Sequence, residues 1–563
     1  MMRKNHYKII FWLIIGVIVF FTQFYKLTSY PPSLSIDEVS IGYNAYSILK
    51  TGRDEWGSFL PISFKSVGDY KAPVLIYVTV PFIKLFGLTE LGTRLPVAVF
   101  SALNVFLFWI LISRFIFSNK SAELSYLATF IFTLSPWLVP FSRSGFEAIT
   151  ALSFLLLNLI FTFRWRRSEK ISDFFLMVIF AYFSAITYHS TKIVVPLLNL
   201  FIIFANYRFF KSSITSWYSN KKNSLFFISF ALFFITVFFV KNFILGSGGT
   251  RAGMTLLTKD YDYTNGILPF ISGHPLSWLT SAVGLISFWY KRFLEYFSPN
   301  FYLSDGLGLA TPGHPGQGVI YMIEYPFLII GSLLLFFRHK FVTDYLSGKF
   351  TANVLAVWFF IALIPASITN NSQHALRTLN IVPVFSILIS LGMLFVYGKF
   401  KNTFWKSLLA VVVVGGYLLG ILRFVDYYTL HYPIELSEAR SYGWKQMAIY
   451  ARNHHSEYEK VYIDPRFGTD GPYTYGVPYL YFLFYSQYDP SSYNTGSVRN
   501  TGGTDFENYF FGPINWPDID HTRNNLYISS PWSIPKELID SQNQKAYAPF
   551  LNNSSGLYAI SDR

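Results

Sequence analysis

The chain contains no cysteine among its 563 residues. Disulfide bonds, thiol catalysis and cysteine-ligated metals are therefore excluded. Charge is also scarce, because Asp, Glu, Lys and Arg together make up only 13% of the residues, against about 25% in ordinary soluble proteins. Hydrophobic residues amount to 52%. A soluble protein with so little charge would not cover its surface, so most of the chain is expected to lie in lipid.

Apolar stretches about 20 residues long recur along the chain, and this length crosses a hydrocarbon core about 30 Å thick. Backbone polar groups in lipid need partners within their own segment, so these stretches are expected to be helices. The hydropathy pattern predicts an α-helical polytopic membrane protein with about eleven transmembrane helices. The predicted spans are 8–25, 93–117, 122–141, 147–164, 173–189, 192–208, 224–245, 318–338, 351–369, 377–397 and 405–425.

Cations are unevenly distributed between these spans. Alternate short connections are rich in Lys and Arg, as at Arg164, Arg166 and Arg167, and such connections stay on the cytoplasmic side. The N-terminus is therefore predicted in the cytoplasm and the C-terminus outside. This distribution also explains the net charge of +14 without a nucleic-acid partner.

The orientation leaves three long segments outside the membrane. They are a first outer loop at 26–92, a second outer loop at 246–317 and a tail at 426–563. The chain is thus divided into a transmembrane domain, 1–425, and an extracytoplasmic C-terminal domain, 426–563. Two short apolar stretches, 72–86 and 276–290, are expected to be interfacial or re-entrant helices.

The tail alternates two periodicities. A helical pattern runs from Trp444 to Asn453, and a strand-like pattern runs from Lys460 to Ile463. This alternation predicts a small α/β domain.

The first outer loop carries an acidic pair, Asp37 and Glu38, just after Ser35. One interpretation is a capping box, in which Ser35 is the N-cap, Glu38 lies three residues later and the helix dipole favours Asp37. A helix start next to the membrane also holds a carboxylate ionised and fixed in place. An ionised and positioned Asp is what a general base needs when it takes a proton from a hydroxyl.

Four motifs follow one another in order after the first span. They are Asp37-Glu38, Thr51-Gly52-Arg53-Asp54, Asp69-Tyr70-Lys71-Ala72-Pro73 and Gly92-Thr93-Arg94-Leu95-Pro96. The ordered set resembles the bacterial GT-C glycosyltransferases, a superfamily that includes the protein O-mannosyltransferases and the aminoarabinose transferases that modify lipid A. The resemblance is strongest over residues 1–200 and extends more weakly to about residue 425.

The resemblance implies an inverting enzyme of a prokaryotic cytoplasmic membrane, with a polyprenyl-phosphate sugar as donor. The orientation predicted from the cations places its active site on the non-cytoplasmic side, and the acceptor hydroxyl is left open between a lipid, a protein and a glycan. Asp37 matches the catalytic general base, and Glu38 matches its acidic neighbour, which orients the acceptor or helps to bind a divalent metal ion. Lys71 matches the Lys that contacts the donor phosphate.

One position departs from the aminoarabinose branch. That branch has a Glu immediately before the Lys, whereas Tyr70 stands there in this chain and Asp69 precedes it by one step. Asp69 and Tyr70 are therefore further candidates, and a divalent metal at Glu38 and Asp69 is left open.

Cations at the outer ends of predicted spans are candidates for the donor phosphate, since fixed positive charge stabilises a phosphate leaving group. They are Arg143, Lys192, His374 and Arg377. The alternative for each is an interfacial anchor whose charged end reaches the lipid headgroups.

Three other functions compete with a sugar transferase. A transporter or flippase for lipid-linked saccharides would need ionisable residues deep within the spans, where they are scarce. A membrane scaffold would leave the first-loop motifs unexplained. A polymerase or ligase would transfer a whole glycan rather than one sugar.

Overall fold

The structure is a computed structural model that describes residues 2–67, 69–118, 122–210, 212, 255–271, 277–307, 317–370, 373–468, 474–493, 505–539 and 543–562. It divides into two compact units. The first unit consists of Met1–Tyr25, Val97–Ser142 and Glu147–Val425. The second unit consists of Lys26–Pro96, Arg143–Phe146 and Asp426–Arg563.

Helices dominate the described residues up to Ala205. They are α1 (Met2–Val19), α2 (Ile36–Thr51), α3 (Pro73–Phe86), α4 (Glu90–Leu111), α5 (Ala122–Leu134), α6 (Leu138–Ser142), α7 (Glu147–Ser168), α8 (Ile171–Thr187) and α9 (Thr191–Ala205). A short hairpin precedes α3, and its strands are β1 (Phe64–Ser66) and β2 (Asp69–Lys71).

The described helices of the remaining chain continue this numbering. They are α10 (Leu268–Ile271), α11 (Ser277–Glu295), α12 (Tyr325–Phe336), α13 (Lys340–Tyr345), α14 (Lys349–Ile361), α15 (Ile364–Ser367), α16 (Val382–Lys399), α17 (Thr403–Asp426), α18 (Tyr432–Glu435), α19 (Trp444–His454), α20 (Pro478–Ser486), α21 (Pro490–Tyr493) and α22 (Lys536–Ile539). The tail also contains β3 (Lys460–Ile463), β4 (Arg466–Phe467), β5 (Thr474–Tyr475), β6 (Tyr509–Phe511), β7 (Asn525–Ser529), β8 (Gln544–Ala548) and β9 (Leu557–Ser561).

Six helical stretches in the described part of the chain are long and apolar enough to cross a membrane, which makes this an integral membrane protein. They are His6–Phe24, Glu90–Ile116, Glu147–Ser168, Lys349–Ser367, Leu379–Lys399 and Thr403–Glu435. Shorter apolar helices occupy four more predicted spans, at α5, α8, α9 and α12. The span predicted at 224–245 lies outside the described residues, so the count of eleven stays a prediction.

The first unit contains a close helix contact between α12 and α16. Gly331 on α12 faces the backbone carbonyl of Leu388, and Gly392 on α16 faces the backbone carbonyl of Phe327. A Cβ at either glycine would overlap that oxygen. Helices in lipid pack through such small residues because close van der Waals contact replaces the hydrophobic effect between them.

Substitution of Gly392 by Ala should therefore separate the two helices. We expect Gly392→Ala to destabilise the protein by about 1–3 kcal/mol, the usual cost of overpacking. The measurement is the thermal midpoint of the purified protein in detergent. Gly398→Ala is the matched control, since the same helix has nothing within 4 Å of a Cβ at that glycine. Equal midpoints for the two variants would contradict the prediction.

In the second unit, helix α2 is bounded by the signals that the sequence contains. Ser35 is the N-cap of a capping box with Glu38, as predicted, and the left-handed Gly52 (φ 70°) ends the helix. The β1–β2 hairpin is anchored to α2, because the buried hydroxyls of Ser66 and Ser40 lie 2.6 Å apart. This contact and the packing of α3 on α2 place the end of β2 beside the start of α2.

The tail forms a five-stranded mixed sheet in the order β6-β3-β7-β9-β8. Strand β3 pairs in parallel with β6 and β7, and β9 pairs antiparallel with β7 and β8. The helix and strand that were predicted in the tail are confirmed as α19 and β3. Helix α20 packs on both α19 and α2. The first outer loop and the tail belong to the same compact unit, and the predicted division of the chain at residue 425 stays a prediction.

Both short apolar stretches outside the predicted spans are helical. The stretch at 72–86 forms α3, with Pro73 in its first turn, and the described part of the stretch at 276–290 lies within α11. Their interfacial or re-entrant position stays a prediction.

Candidate active site

The start of α2 presents two adjacent carboxylates to different surroundings. The side chain of Asp37 is 53% exposed, whereas that of Glu38 is fully buried. Successive residues of a helix are rotated by about 100° around its axis, so one of the two neighbours faces inward while the other faces outward. Of these two carboxylates, that of Asp37 is therefore the one exposed to solvent.

Glu38 is bound by four donors, two for each carboxylate oxygen. Oε1 accepts from Arg94 Nε at 2.8 Å and from the Gly145 backbone N–H at 3.1 Å. Oε2 accepts from the Ser35 backbone N–H at 2.9 Å and from Arg440 Nη1 at 3.3 Å. Burial alone would raise the pKa of this carboxyl, but the guanidinium groups of Arg94 and Arg440 outweigh it and hold the pKa below the usual range.

Arg94 binds the backbone at the start of the first outer loop. Its remaining guanidinium nitrogens donate to the backbone carbonyls of Leu27, Pro31 and Ser33, at 3.1, 2.8 and 2.7 Å. Burying a charge is costly unless it is paired and hydrogen-bonded, and these contacts satisfy that requirement. Arg94 belongs to the Gly-x-Arg-Leu-Pro motif, but its contact with Glu38 was not predicted from the sequence.

Arg440 comes from the tail and reaches the same carboxylate. Its Nη2 donates to Ser144 Oγ and to the Tyr432 hydroxyl, both at 3.2 Å. Burial would lower the pKa of Arg440, but Tyr432 and the Glu38 carboxylate raise it. Arg440 was not predicted as a site residue, because its only signal in the sequence is weak: an Arg shortly after the last predicted span.

Lys71 and Asp37 lie together in the structure, and their roles as phosphate ligand and base stay predictions. Lys71 Nζ donates directly to Asp37 Oδ1. The hairpin register pairs Lys71 with Phe64 and Tyr70 with Lys65, so Lys71 ends β2 while the buried Phe64 anchors the opposite strand. Tyr70 is half-buried on the neighbouring position, and the side chain of Asp69 lies outside the described part of the structure.

Arg143 lies in the same unit, and its hydrogen bonds with Tyr30 and Lys26 go to backbone carbonyls rather than to a carboxylate. Its Nε donates to the carbonyl of Tyr30 at 3.1 Å, and its Nη2 donates to the carbonyl of Lys26 at 3.0 Å. The guanidinium also lies 5.9 Å from the centre of the Tyr428 ring. These contacts hold the start of the first outer loop. The phosphate-binding role of Arg143 stays a prediction.

The other predicted phosphate ligands belong to the first unit. Arg377 Nη1 donates to Thr369 Oγ1 at 2.7 Å and to the carbonyl of Asn370 at 2.6 Å. The His374 backbone N–H donates to the Tyr296 hydroxyl at 3.0 Å, and Lys192 lies in the first turn of α9. Their roles also stay predictions.

The surroundings of Glu38 do not fit the divalent metal that the sequence left open. Two guanidinium groups and two backbone N–H groups already occupy both of its oxygens, and a cation would meet like charge there. Among the described residues, no three His, Asp or Glu side chains gather into a group that would hold a metal ion. Glu38 is therefore not available as a ligand for a divalent metal ion.

The described spanning helices and the mixed-sheet tail form a fold that is similar to those of solved structures. The chain aligns with ArnT from Cupriavidus metallidurans in the apo state at a TM-score of 0.50 and 11% identity, over 100% of this chain and 98% of ArnT. It also aligns with the archaeal oligosaccharyltransferase AglB from Archaeoglobus fulgidus, in complex with an inhibitory peptide and a dolichol-phosphate. The TM-score of this alignment is 0.50 and the sequence identity is 12%, over 86% of this chain and 64% of AglB. The resemblance found in the sequence is thus confirmed for the fold.

Comparison by sequence adds nothing to this likeness. No family model matches the chain, and no curated protein matches it.

Proposed function

We propose that this chain is an inverting glycosyltransferase, which moves a sugar from a polyprenyl-phosphate donor to a hydroxyl acceptor on the non-cytoplasmic face of the membrane. The observation that carries the proposal is the contact between the accessible Asp37 carboxylate and the Lys71 ammonium group. This contact joins a base and a phosphate-binding cation at one helix end. The GT-C fold supports the class of enzyme, and the AglB complex contains a lipid phosphate, dolichol-phosphate.

In the proposed reaction, Asp37 takes the proton of the acceptor hydroxyl as its oxygen attacks the anomeric carbon. The attack comes from the side opposite the phosphate, so the new glycosidic bond forms with inversion. The bond between the anomeric carbon and the phosphate oxygen breaks, and its electron pair leaves with the polyprenyl phosphate. Lys71 stabilises the negative charge that grows on that oxygen.

Glu38 has a different part in this proposal from that of Asp37. Both of its oxygens are occupied by the donors described above, so it does not reach a substrate. We assign it the task of fixing the start of α2, and through this the direction of Asp37. Arg143, Lys192, His374 and Arg377 remain candidates for additional contacts with the donor phosphate.

A second candidate activity is the transfer of a whole glycan. The likeness to the oligosaccharyltransferase AglB favours it. Asp37 would again act as the base, and Lys71 would again stabilise the leaving phosphate. The acceptor class is equally open, and lipids, proteins and glycans are the candidates.

The deciding experiment supplies purified protein in lipid vesicles with polyprenyl phosphates that carry a labelled single sugar or a labelled oligosaccharide. Transfer of the single sugar, with release of polyprenyl phosphate, is the expected result. Transfer of the oligosaccharide alone would identify a ligase. Movement of the intact donor across the bilayer without bond cleavage would identify a flippase and contradict the proposal.

The location of Asp37 outside the cytoplasm is a separate prediction. Because the chain has no cysteine, an Asp37→Cys variant carries a single thiol. We expect a membrane-impermeant maleimide to label it in intact cells. Arg166→Cys, in a predicted cytoplasmic connection, is the control and should react only after the cells are permeabilised. The reverse pattern would place the proposed chemistry on the wrong side of the membrane.

A further inference from the structure

Arg440 holds the start of α2 through two long-range contacts. Its Nη1 donates to Glu38 Oε2 at 3.3 Å, and its backbone carbonyl accepts from Ser33 Oγ at 2.9 Å. The bonded residues are 402 and 407 positions apart in the chain. Glu38 and Ser33 lie on either side of the N-cap Ser35, so Arg440 fixes both the helix start and the segment that leads into it.

The guanidinium of Arg440 is itself held in place. Its side chain is only 6% exposed, and its second terminal nitrogen is bound to Ser144 and Tyr432. The planar group thus makes contacts on two sides at once, which a lysine ammonium at the end of a flexible chain does not reproduce. Arg440 is therefore a rigid support for Glu38.

The position of Glu38 determines the position of Asp37, because the helix backbone connects the two residues. The two residues are adjacent in the first turn of α2, and the inward direction of Glu38 sets the outward direction of Asp37. A shift of Glu38 would rotate or fray this turn. A base that is displaced by about 1 Å loses much of its effect on the rate.

We propose that Arg440 is a positioning residue, which acts through Glu38 to aim Asp37 at the acceptor hydroxyl and makes the C-terminal tail part of the catalytic unit. This inference rests on the proposed function. Arg440 touches neither donor nor acceptor in this role. Its loss should therefore lower kcat and leave the KM for the donor nearly unchanged, because ground-state binding is retained.

The first test compares Arg440→Met with Lys445→Met in the full-length protein in lipid vesicles. Lys445 is the matched control, since it also links the tail to an acidic residue of the same unit, Glu90, at 2.5 Å, but does not contact Glu38. We expect Arg440→Met to lower kcat about 10- to 100-fold, with a donor KM within about twofold of the original. Lys445→Met should keep kcat within about twofold. A kcat for Arg440→Met that matches the Lys445→Met value would overturn the proposal.

A second comparison separates positioning from a general structural defect. In an Asp37→Asn background, Arg440→Met should have no further effect on the residual turnover, because the base that it aims is already absent. If Arg440→Met lowered kcat in the Asp37→Asn background as much as it does in the original protein, Arg440 would act independently of Asp37. Arg440→Lys keeps the charge but loses the planar guanidinium group. Its kcat should fall between those of the original protein and Arg440→Met.

A third measurement does not depend on activity. A nitroxide on the single thiol of Asp37→Cys reports the order of the helix start, and we expect Arg440→Met to increase its mobility while Lys445→Met does not. Equal mobility in both variants would refute the proposed support. If no donor is turned over by the original protein but the label responds as expected, the proposed function fails and the support of α2 by Arg440 stands.

Discussion

Replacement of Asp37 by Asn is expected to reduce sugar transfer by about 10²- to 10⁴-fold, the usual contribution of a general base. Asn keeps the size of the side chain and accepts a hydrogen bond from Lys71, but it does not take a proton from the acceptor hydroxyl. Donor binding should persist, since Lys71 is unchanged. The measurement is kcat with a labelled polyprenyl-phosphate sugar, together with the KM for that donor.

Asp520→Asn is the matched control for this prediction. Asp520 lies in the same unit and is 54% exposed, close to the 53% of Asp37. It also pairs with a cation, Arg523, and lies in the tail. The control variant should keep its activity within about twofold. Turnover by Asp37→Asn within tenfold of the original would remove Asp37 from the role of base.

The features that were predicted correctly depend on residues near one another in the chain. The capping box joins Ser35 to a Glu only three residues later, so its sequence spacing is sufficient to recognise it. Spanning helices are visible for the same reason, because their length and apolarity are local properties. The contact between Lys71 and Asp37 was not predicted, although the ordered motifs named both residues as candidates.

The network behind this pair was not predicted, because its members are distant in the chain. Arg94 and Arg440 contact the Glu38 carboxylate from positions 56 and 402 residues further along the chain. A single sequence does not show which residues that are far apart in the chain come into contact. The contacts of Arg143 with the carbonyls of Tyr30 and Lys26 were likewise not predicted, because these residues are 113 and 117 positions away in the chain.

The buried network also predicts that a substitution at Glu38 destabilises the fold. Glu38→Gln keeps the shape of the side chain but removes its charge, and it replaces an acceptor oxygen with an NH₂ group that faces other donors. Breaking a buried ion pair on one side costs about 3–5 kcal/mol, because the remaining charge stays buried without its partner. Here two guanidinium groups, those of Arg94 and Arg440, lose their shared carboxylate.

We therefore expect Glu38→Gln to lower the thermal midpoint and the yield of folded protein. Glu459→Gln is the control, because that carboxylate is 56% exposed and pairs with an exposed Arg523, an arrangement that contributes little to stability. Unchanged stability in Glu38→Gln would mean that the four donors do not depend on a charged acceptor.

The pH dependence of stability gives the same prediction a second measurement. The pKa of Glu38 is held below its ordinary value of 4.5 in the folded protein, so the unfolded chain binds the proton more readily. The contribution of this carboxylate is then fully present above pH 4.5 and is lost as the pH falls through the lower folded pKa. Thermal midpoints of the original protein should decline over that range, and the part of the decline due to Glu38 should be absent from Glu38→Gln. Parallel pH profiles for the two proteins would show that the buried carboxylate does not titrate with unfolding, and that the network around Asp37 is not held by its charge.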